Sequence, residues 1–417
     1  MDTPGFTIEE TDATTEVDES GSTDTFTVVL DAQPTSDVVL TITSDDTGEA
    51  TVPATVTFTP VNWDTAQTVT VTGADDDLVD GTITSTITIA VDDANSDDDF
   101  DTISDQTVSV DTLDDDVAGF TIEETDAATE VDESGTTDTF TVVLDAQPTS
   151  DVVLTITSDD TGEATVPATV TFTPVNWDTA QTVTVTGADD DLVDGTITST
   201  ITIAVYDTNS DDDFDAVVDQ TVSVDTTDDD VAGFTIEETD AATEVDESGT
   251  TDTFTIVLDA EPTSDVVLTI TSDDTGEATV PASVTFTAAD WDTPQTITVT
   301  GADDSIIDGT ITSTITIAVD DANSDDDFDT ISDQTVSVDT LDDDVAGFTI
   351  EETDGSTEVD ESGTTDTFTI VLDAQPTNDV VVLATASNDE TEATVSGSIT
   401  FTSENWDTPQ TVTVTGV

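Results

Sequence analysis

The hexapeptide Gly5-Phe6-Thr7-Ile8-Glu9-Glu10 recurs at Gly119, Gly233 and Gly347, and almost everything between recurs with it. The step is 114 residues. Solenoid and propeller units run about 20–50 residues, so this period matches a complete small domain with its own core. The chain therefore reads as tandem copies of one domain, spanning residues 1–116, 117–230 and 231–344, with an incomplete fourth copy over 345–417. That copy carries one extra residue in Asp379-Val380-Val381-Val382-Leu383 and lacks the counterpart of roughly the last 43 residues of a full repeat.

Inside a repeat, apolar residues alternate with Thr at a period of two. Phe26, Val28 and Leu30 share one face of a short run. Val38, Leu40 and Ile42 do the same, as do Val56 with Phe58, Val69 with Val71, Ile87 with Ile89 and Val91, and Val108 with Val110. Such alternation marks half-buried antiparallel strands, and Thr suits the outward face. Turn signals such as Gln33-Pro34, Thr47-Gly48 and Asp80-Gly81 separate the runs. With Phe6 and Ile8, about seven or eight strands and no helix are expected per repeat, which is the pattern of an all-β, two-sheet sandwich. Trp63, repeated as Trp177, Trp291 and Trp406, is expected to anchor the core or a sheet edge.

Charge narrows the function. The 417 residues include 99 Asp+Glu and no Lys, Arg, His or Cys, for a formal charge of -99. No cation is present to neutralise a nucleic-acid phosphate or to meet an anionic membrane. Salt bridges, disulfides, His/Cys zinc sites and enzymes built on His, Cys, Lys or Arg are excluded. No apolar run is long enough for a transmembrane span, and the start at Met1-Asp2-Thr3-Pro4 has no secretory leader pattern. The chain still has the means to fold: 34% of residues are hydrophobic and the mean hydropathy is -0.13, unlike a disordered acidic tail. Something must relieve its self-repulsion.

The acids gather where strands end. The first full repeat carries 28 of them, and the densest groups are Asp75, Asp76 and Asp77 with Asp80, Asp97, Asp98 and Asp99 with Asp101, and Asp114, Asp115 and Asp116. Glu9-Glu10, Asp45-Asp46 and the group Glu16, Asp18 and Glu19 are smaller. Adjacent carboxylates repel unless a cation bridges them, and Ca²⁺ takes six to eight oxygen ligands, commonly from loop carboxylates and carbonyls. The alternative is an acidic surface that simply holds water. Paired carboxylates also serve glycosidases, but here every pair recurs in each copy and aromatics are only 5%. No enzyme is expected. Glycine-rich phosphate loops, H-E-x-x-H helices and Asn-x-Ser/Thr sequons are absent, while O-linked sugar on Thr stays open.

The stretch Asp116-Val117-Ala118-Gly119-Phe120-Thr121-Ile122-Glu123-Glu124, followed by Val131-Asp132-Glu133-Ser134-Gly135, resembles a junction between Calx-beta domains. The resemblance rests on three motifs in order: Val17-Asp18-Glu19-Ser20-Gly21; the alternating strand leading to Asp75, Asp76, Asp77 and Asp80; and the closing Asp114-Asp115-Asp116. It implies immunoglobulin-like sandwiches that bind Ca²⁺ at the pole facing the next domain. In repeat one the implied ligands are Glu19, Asp75, Asp76, Asp77, Asp80, Asp114, Asp115 and Asp116. In repeat two they are Glu133, Asp189, Asp190, Asp191, Asp194, Asp228, Asp229 and Asp230. In repeat three they are Glu247, Asp303, Asp304, Asp308, Asp342, Asp343 and Asp344, with Ser305 in place of one Asp. The mid-domain D-Y pair of the family is missing; Ser44-Asp45-Asp46-Thr47-Gly48 stands near its place.

Together these readings describe a segment of a long extracellular or cell-surface adhesin or filament, a stalk stiffened by calcium. At least one Ca²⁺ per full repeat is expected, with affinity on the order of 10⁻⁴–10⁻³ M. Its partners are neighbouring repeats of the same or identical chains, with a surface glycan or matrix contact also open, and no nucleic acid or membrane insertion. The alternatives are a self-assembling fibre subunit and a carbohydrate- or ice-binding module. The linker Asp116-Val117-Ala118-Gly119 spans only about 10–14 Å, which leaves little slack between sandwiches. Repeat four, short of two strands, is expected to expose Phe368, Ile370 and Phe401, and to be completed by continuation past Val417 rather than by strands from another chain.

Overall fold

The computed structural model describes residues 3–240, 242–386 and 392–417. Nine strands make up the first repeat: β1 (Phe6–Glu10), β2 (Thr15–Asp18), β3 (Thr23–Leu30), β4 (Val38–Ser44), β5 (Ala50–Thr51), β6 (Thr55–Phe58), β7 (Gln67–Gly73), β8 (Ile83–Val91) and β9 (Gln106–Leu113). They form a four-stranded sheet in the order β1-β3-β7-β5 and a five-stranded sheet in the order β2-β9-β8-β4-β6. The protein is thus a tandem β-sandwich repeat protein of immunoglobulin-like type. The two strands that the alternation did not reveal are β2 and β5. β5 has two residues, and β2 carries acids and is held by parallel pairing to β9, with Val17 opposite Thr112.

Register follows the apolar pattern. Phe26 lies opposite Val69, Ile42 opposite Ile89, and Ile87 opposite Val108. Phe26, Phe58, Val69, Val71, Ile87 and Ile89 are fully buried between the sheets, each contributing about 1.5–3 kcal/mol by leaving water. On the outward side Thr25 faces Thr70 and Thr27 faces Thr68. Uncharged Thr ladders avoid the like-charge repulsion that acids would create across strands. Trp63 packs half-buried against the core, and its carbonyl accepts the Leu30 N–H at 3.2 Å.

The β8–β9 loop hides a core residue. Phe100 is buried there, and the loop is tied down by Asp97. This carboxylate accepts from the Thr35 N–H at 2.5 Å, the Thr35 hydroxyl at 2.7 Å, the Ser36 N–H at 2.8 Å and the Asp99 N–H at 3.1 Å. Those bonds, that of the Thr35 side chain first, pull its pKa down to about 2. In Asp97, Asp98 and Asp99, then, the first residue serves the fold by holding one loop to another.

The same two sheets recur in repeats two and three, each with its own core. The only helical elements among the described residues are the three-residue 3-10 turns Asp207–Asn209, Asp212–Phe214 and Asp326–Phe328. The chain divides into two compact units, residues 1–190 with 196–229, and 191–195 with 230–417. Within the first unit, the loop after β7 is stitched to the second repeat: Gln147 donates its N–H to the Asp77 carbonyl at 2.7 Å, and Val79 donates to the Gln147 carbonyl at 3.0 Å. Within the second unit, Gln375 donates to the Ser305 carbonyl at 2.6 Å.

Repeat four keeps a four-stranded sheet of Phe348–Glu352, Thr365–Leu372, Gln410–Gly416 and Ala393–Val395. Its second sheet is reduced to Val380–Leu383 paired with Ser398–Phe401. The counterpart of β2, residues 357–360, is not a strand, because the counterpart of its β9 partner is not among the 417 residues. The exposed apolar residues differ from those expected. Ile370 and Phe401 stay buried between the two sheets and Phe368 is half-buried. Exposure falls on Phe348 (52%) and Ile350 (53%) of the first strand, where Phe6 of repeat one is 3% exposed.

Candidate metal centre

Four segments meet at one end of the first sandwich, those after β2, before β5, after β7 and after β9. Glu19 follows β2 directly, and its N–H donates to the Leu113 carbonyl at the end of β9, at 3.1 Å. Gly73 ends β7 against the β2 backbone: a Cβ there would lie 2.1 Å from the Asp18 carbonyl oxygen. Only glycine permits that approach, which sets the acidic loop after β7 beside Glu19. Glu49 precedes β5, and its carbonyl accepts the Ala74 N–H at 2.8 Å. Both glutamates are sequestered, Glu19 being 1% and Glu49 6% exposed.

Asp114 braces the pole. One oxygen accepts the N–H groups of Asp80 at 3.0 Å and Gly81 at 2.8 Å, and the other accepts the Asp116 N–H at 2.8 Å. Around this brace, carboxylate oxygens of Glu19, Asp76 and Asp116 lie within 4.8 Å of one another, and so do those of Glu19, Glu49 and Asp80. Glu19 belongs to both sets. Its Oε2, the Glu49 Oε2 and the Asp80 Oδ1 are buried with no hydrogen-bond partner.

Burial, then the charges of Glu49, Asp76 and Asp114, push the Glu19 carboxyl from its ordinary 4.5 up to about 8. Burial, then Asp80 and Asp76, raise Glu49. Burial and neighbouring aspartates likewise raise Asp80 and Asp116. Leaving buried carboxylate oxygens unpaired is costly, and this chain has no side-chain cation to offer them. The donors are all oxygen, on loops, and anionic, which fits a hard divalent cation.

Repeat three has a related arrangement, in which Asp343, the counterpart of Asp115, takes part. Oxygens of Glu247, Asp343 and Asp344 come within 4.8 Å of one another, and Asp342 accepts from Asp308 at 3.0 Å, Gly309 at 2.9 Å and Asp344 at 2.9 Å. Burial, then Asp304 and Glu277, raise Glu247 to about 7. Asp304 accepts the Ile306 N–H at 2.6 Å, while Asp303 is exposed. In repeat two Glu133 and Glu163 occupy the same buried positions, 1% and 5% exposed. Asp189, Asp190, Asp191 and Asp194 follow the strand Gln181–Gly187, and Asp228, Asp229 and Asp230 follow Gln220–Thr227.

Of the residues expected in repeat one, the structure brings together Glu19, Asp76, Asp80 and Asp116, with Asp114 as their brace. Asp75, Asp77 and Asp115 are exposed and outside the two sets; Asp77 serves through its carbonyl, which joins the next repeat. The residue that sequence reasoning missed is Glu49, with Glu163 and Glu277 in its place elsewhere. It stands alone, three residues beyond the acidic pair Asp45-Asp46, so a search for runs passes it by. The available signal was a glutamate directly before the buried Ala50 of a strand. In repeat four the counterparts Glu361 and Glu392 are exposed and line an open cavity of about 600 Å³.

No protein-family model matches this sequence, and no curated protein matches it. Solved structures show likeness at low identity. The crystal structure of CBD12 from CALX1.2 is 15% identical, covering 47% of this chain and 79% of its own, with a TM-score of 0.20. The I-band fragment I67-I69 from titin is 9% identical over 82% of this chain and 99% of its own, at 0.25. Domains 4-9 of the surface layer protein SbsC are 16% identical over 92% of this chain and 57% of their own, at 0.23. At such scores the fold assignment rests on the strand order and register given above.

Proposed function

We propose that this chain is a calcium-stiffened segment of a long extracellular or cell-surface protein, built of Calx-beta-like sandwiches and without catalytic activity. The observation that carries this reading is the pair of buried, unpartnered carboxylate oxygens on Glu19 and Glu49, set beside a loop whose backbone is bonded to the next repeat. Glu19, Glu49, Asp76, Asp80 and Asp116 would hold the ion, with Asp114 bracing them. When bound, calcium supplies the positive charge that the side chains of this sequence lack, so the loops can stay close without repulsion. Its oxygen preference and tolerance of irregular loop geometry favour it over the stricter octahedral Mg²⁺. Near-identical tandem copies suit a part whose task is length. The chain's partners on this reading are its own neighbouring repeats.

Calorimetric titration of the metal-free chain tests the ion, and small-angle scattering tests the stiffness. Saturable binding at about 10⁻⁴–10⁻³ M with a rod-like profile that turns flexible on chelation is expected. Binding no stronger than that of an acidic polymer, or a profile unmoved by chelator, overturns the reading.

A further inference from the structure

Within a repeat the β8–β9 loop and the acidic pole lie at opposite ends of those two strands, and in the second repeat the corresponding loop reaches the pole of the first. Asp213, on the 3-10 turn Asp212–Phe214, and Asp116 of repeat one line the same cavity of about 350 Å³, with Val79, Val117 and Ala118 between them. The turn is rigidly placed. Phe214 is fully buried in the second core, and Asp211 accepts from the Thr149 hydroxyl at 2.7 Å and the Ser150 N–H at 2.6 Å. Asp213 is exposed and stands among charges of its own sign. Burial, then Asp211, Asp212 and Asp114, raise its carboxyl above the ordinary value, and Asp213 is in turn among the charges that raise Asp80.

Across the junction Asp213 thus shares a cavity with Asp116 and acts electrostatically with Asp80 and Asp114, where a cation would relieve the repulsion among them. The independent sign of that occupant is the buried oxygen of Glu19, unpartnered, in a set that includes Asp116. We propose that Asp213 of the second repeat supplies a carboxylate to the divalent cation held at the pole of the first, so that one ion binds two domains. This rests on the calcium reading above and adds a ligand from the neighbouring repeat. It makes the junction, rather than the single sandwich, the unit that calcium stabilises.

The full chain supplies its own control, since Asp99 is the same position of repeat one and no repeat precedes it within the 417 residues. Spin labels are placed at Val61→Cys and Val175→Cys, positions 89% and 90% exposed in repeats one and two, in a chain with no native cysteine. Label distances and calcium titrations are then compared for the parent, Asp213→Asn and Asp99→Asn. With calcium, the parent and Asp99→Asn should give a narrow distance distribution. Asp213→Asn should broaden it and weaken one site by about five-fold or more, the scale of a coupling between domains. Saturable calcium binding with a distribution and titration unchanged by Asp213→Asn overturns this inference alone. A parent that binds no calcium overturns both this inference and the reading beneath it.

Discussion

At the residue scale the decisive feature is a glutamate with an oxygen that nothing in the protein satisfies. Glu49 illustrates its two roles. Without calcium its charge opposes folding, because it sits buried beside Glu19 and Asp80. With calcium it is a ligand. Glu49→Gln should therefore raise the thermal midpoint of the calcium-free chain while weakening calcium binding at that pole about ten-fold or more, roughly 1.4 kcal/mol. Differential scanning calorimetry with and without chelator reads both effects; a variant less stable in each condition would show that Glu49 only packs. The pH dependence has a definite sign. Glu19 and Glu247 titrate at about 8 and about 7 in the folded chain, against an ordinary 4.5. Between those values the folded state holds protons that the unfolded state has released, so stability falls as pH rises through this window. The calcium-free midpoint should drop between about pH 5 and pH 8, and saturating calcium should remove the slope.

At the scale of elements, the pole depends on how β2 and β7 approach each other. Gly73→Ala places a methyl group 2.1 Å from the Asp18 carbonyl oxygen, against backbone that cannot swing aside. Overpacking of this kind costs about 1–3 kcal/mol, and here it also pushes Glu19 away from the acidic loop. A lower urea midpoint together with weaker calcium binding is expected, whereas Gly48→Ala, whose Cβ meets only the Asp46 side chain at 3.2 Å, should leave calcium binding nearly intact. Equal effects from the two variants would show that the close approach is not what orders the pole. Repeat four keeps that approach, a Cβ on Gly416 lying 2.0 Å from the Asp360 carbonyl oxygen, yet Glu361 and Glu392 are exposed; burial of the two glutamates also needs the β9 counterpart, which is not among the 417 residues.

For the whole molecule the governing quantity is a charge of -99 with no compensating side chain. Screening by simple salt shortens the Debye length from about 10 Å at 0.1 M to about 3 Å at 1 M, so sodium chloride should partly restore the stability of the calcium-free chain. It acts on every acid alike. Calcium acts where carboxylates converge, so it should give a larger gain at a far lower concentration, about 2.7 kcal/mol per site at a hundred times the dissociation constant. Thermal melts across both titrations check this; equivalence of the two ions at equal ionic strength would reduce calcium to a screening salt.

The 114-residue period, the Thr-apolar alternation and the absence of cations were enough to define a tandem, acidic, two-sheet protein, because repetition and strand periodicity are local properties that a single chain displays directly. The acid clusters, together with the resemblance to Calx-beta motifs, also marked Glu19, Asp76, Asp80 and Asp116. The sequence set Asp114 apart from Asp97 as an implied ligand, but neither actual role was legible: Asp97 is consumed by hydrogen bonds to Thr35 and Ser36, and Asp114 braces the pole through backbone N–H groups. Nor did it reveal Glu49 or Asp213, one a lone acid before a two-residue strand and the other in the next repeat. Which carboxylates lose their water is decided by distant backbone: β2 lying parallel to β9, Gly73 against Asp18, and the turn around Phe214 meeting the preceding domain. Desolvation and convergence arise only when segments far apart in sequence pack together, and tertiary structure alone brings them there.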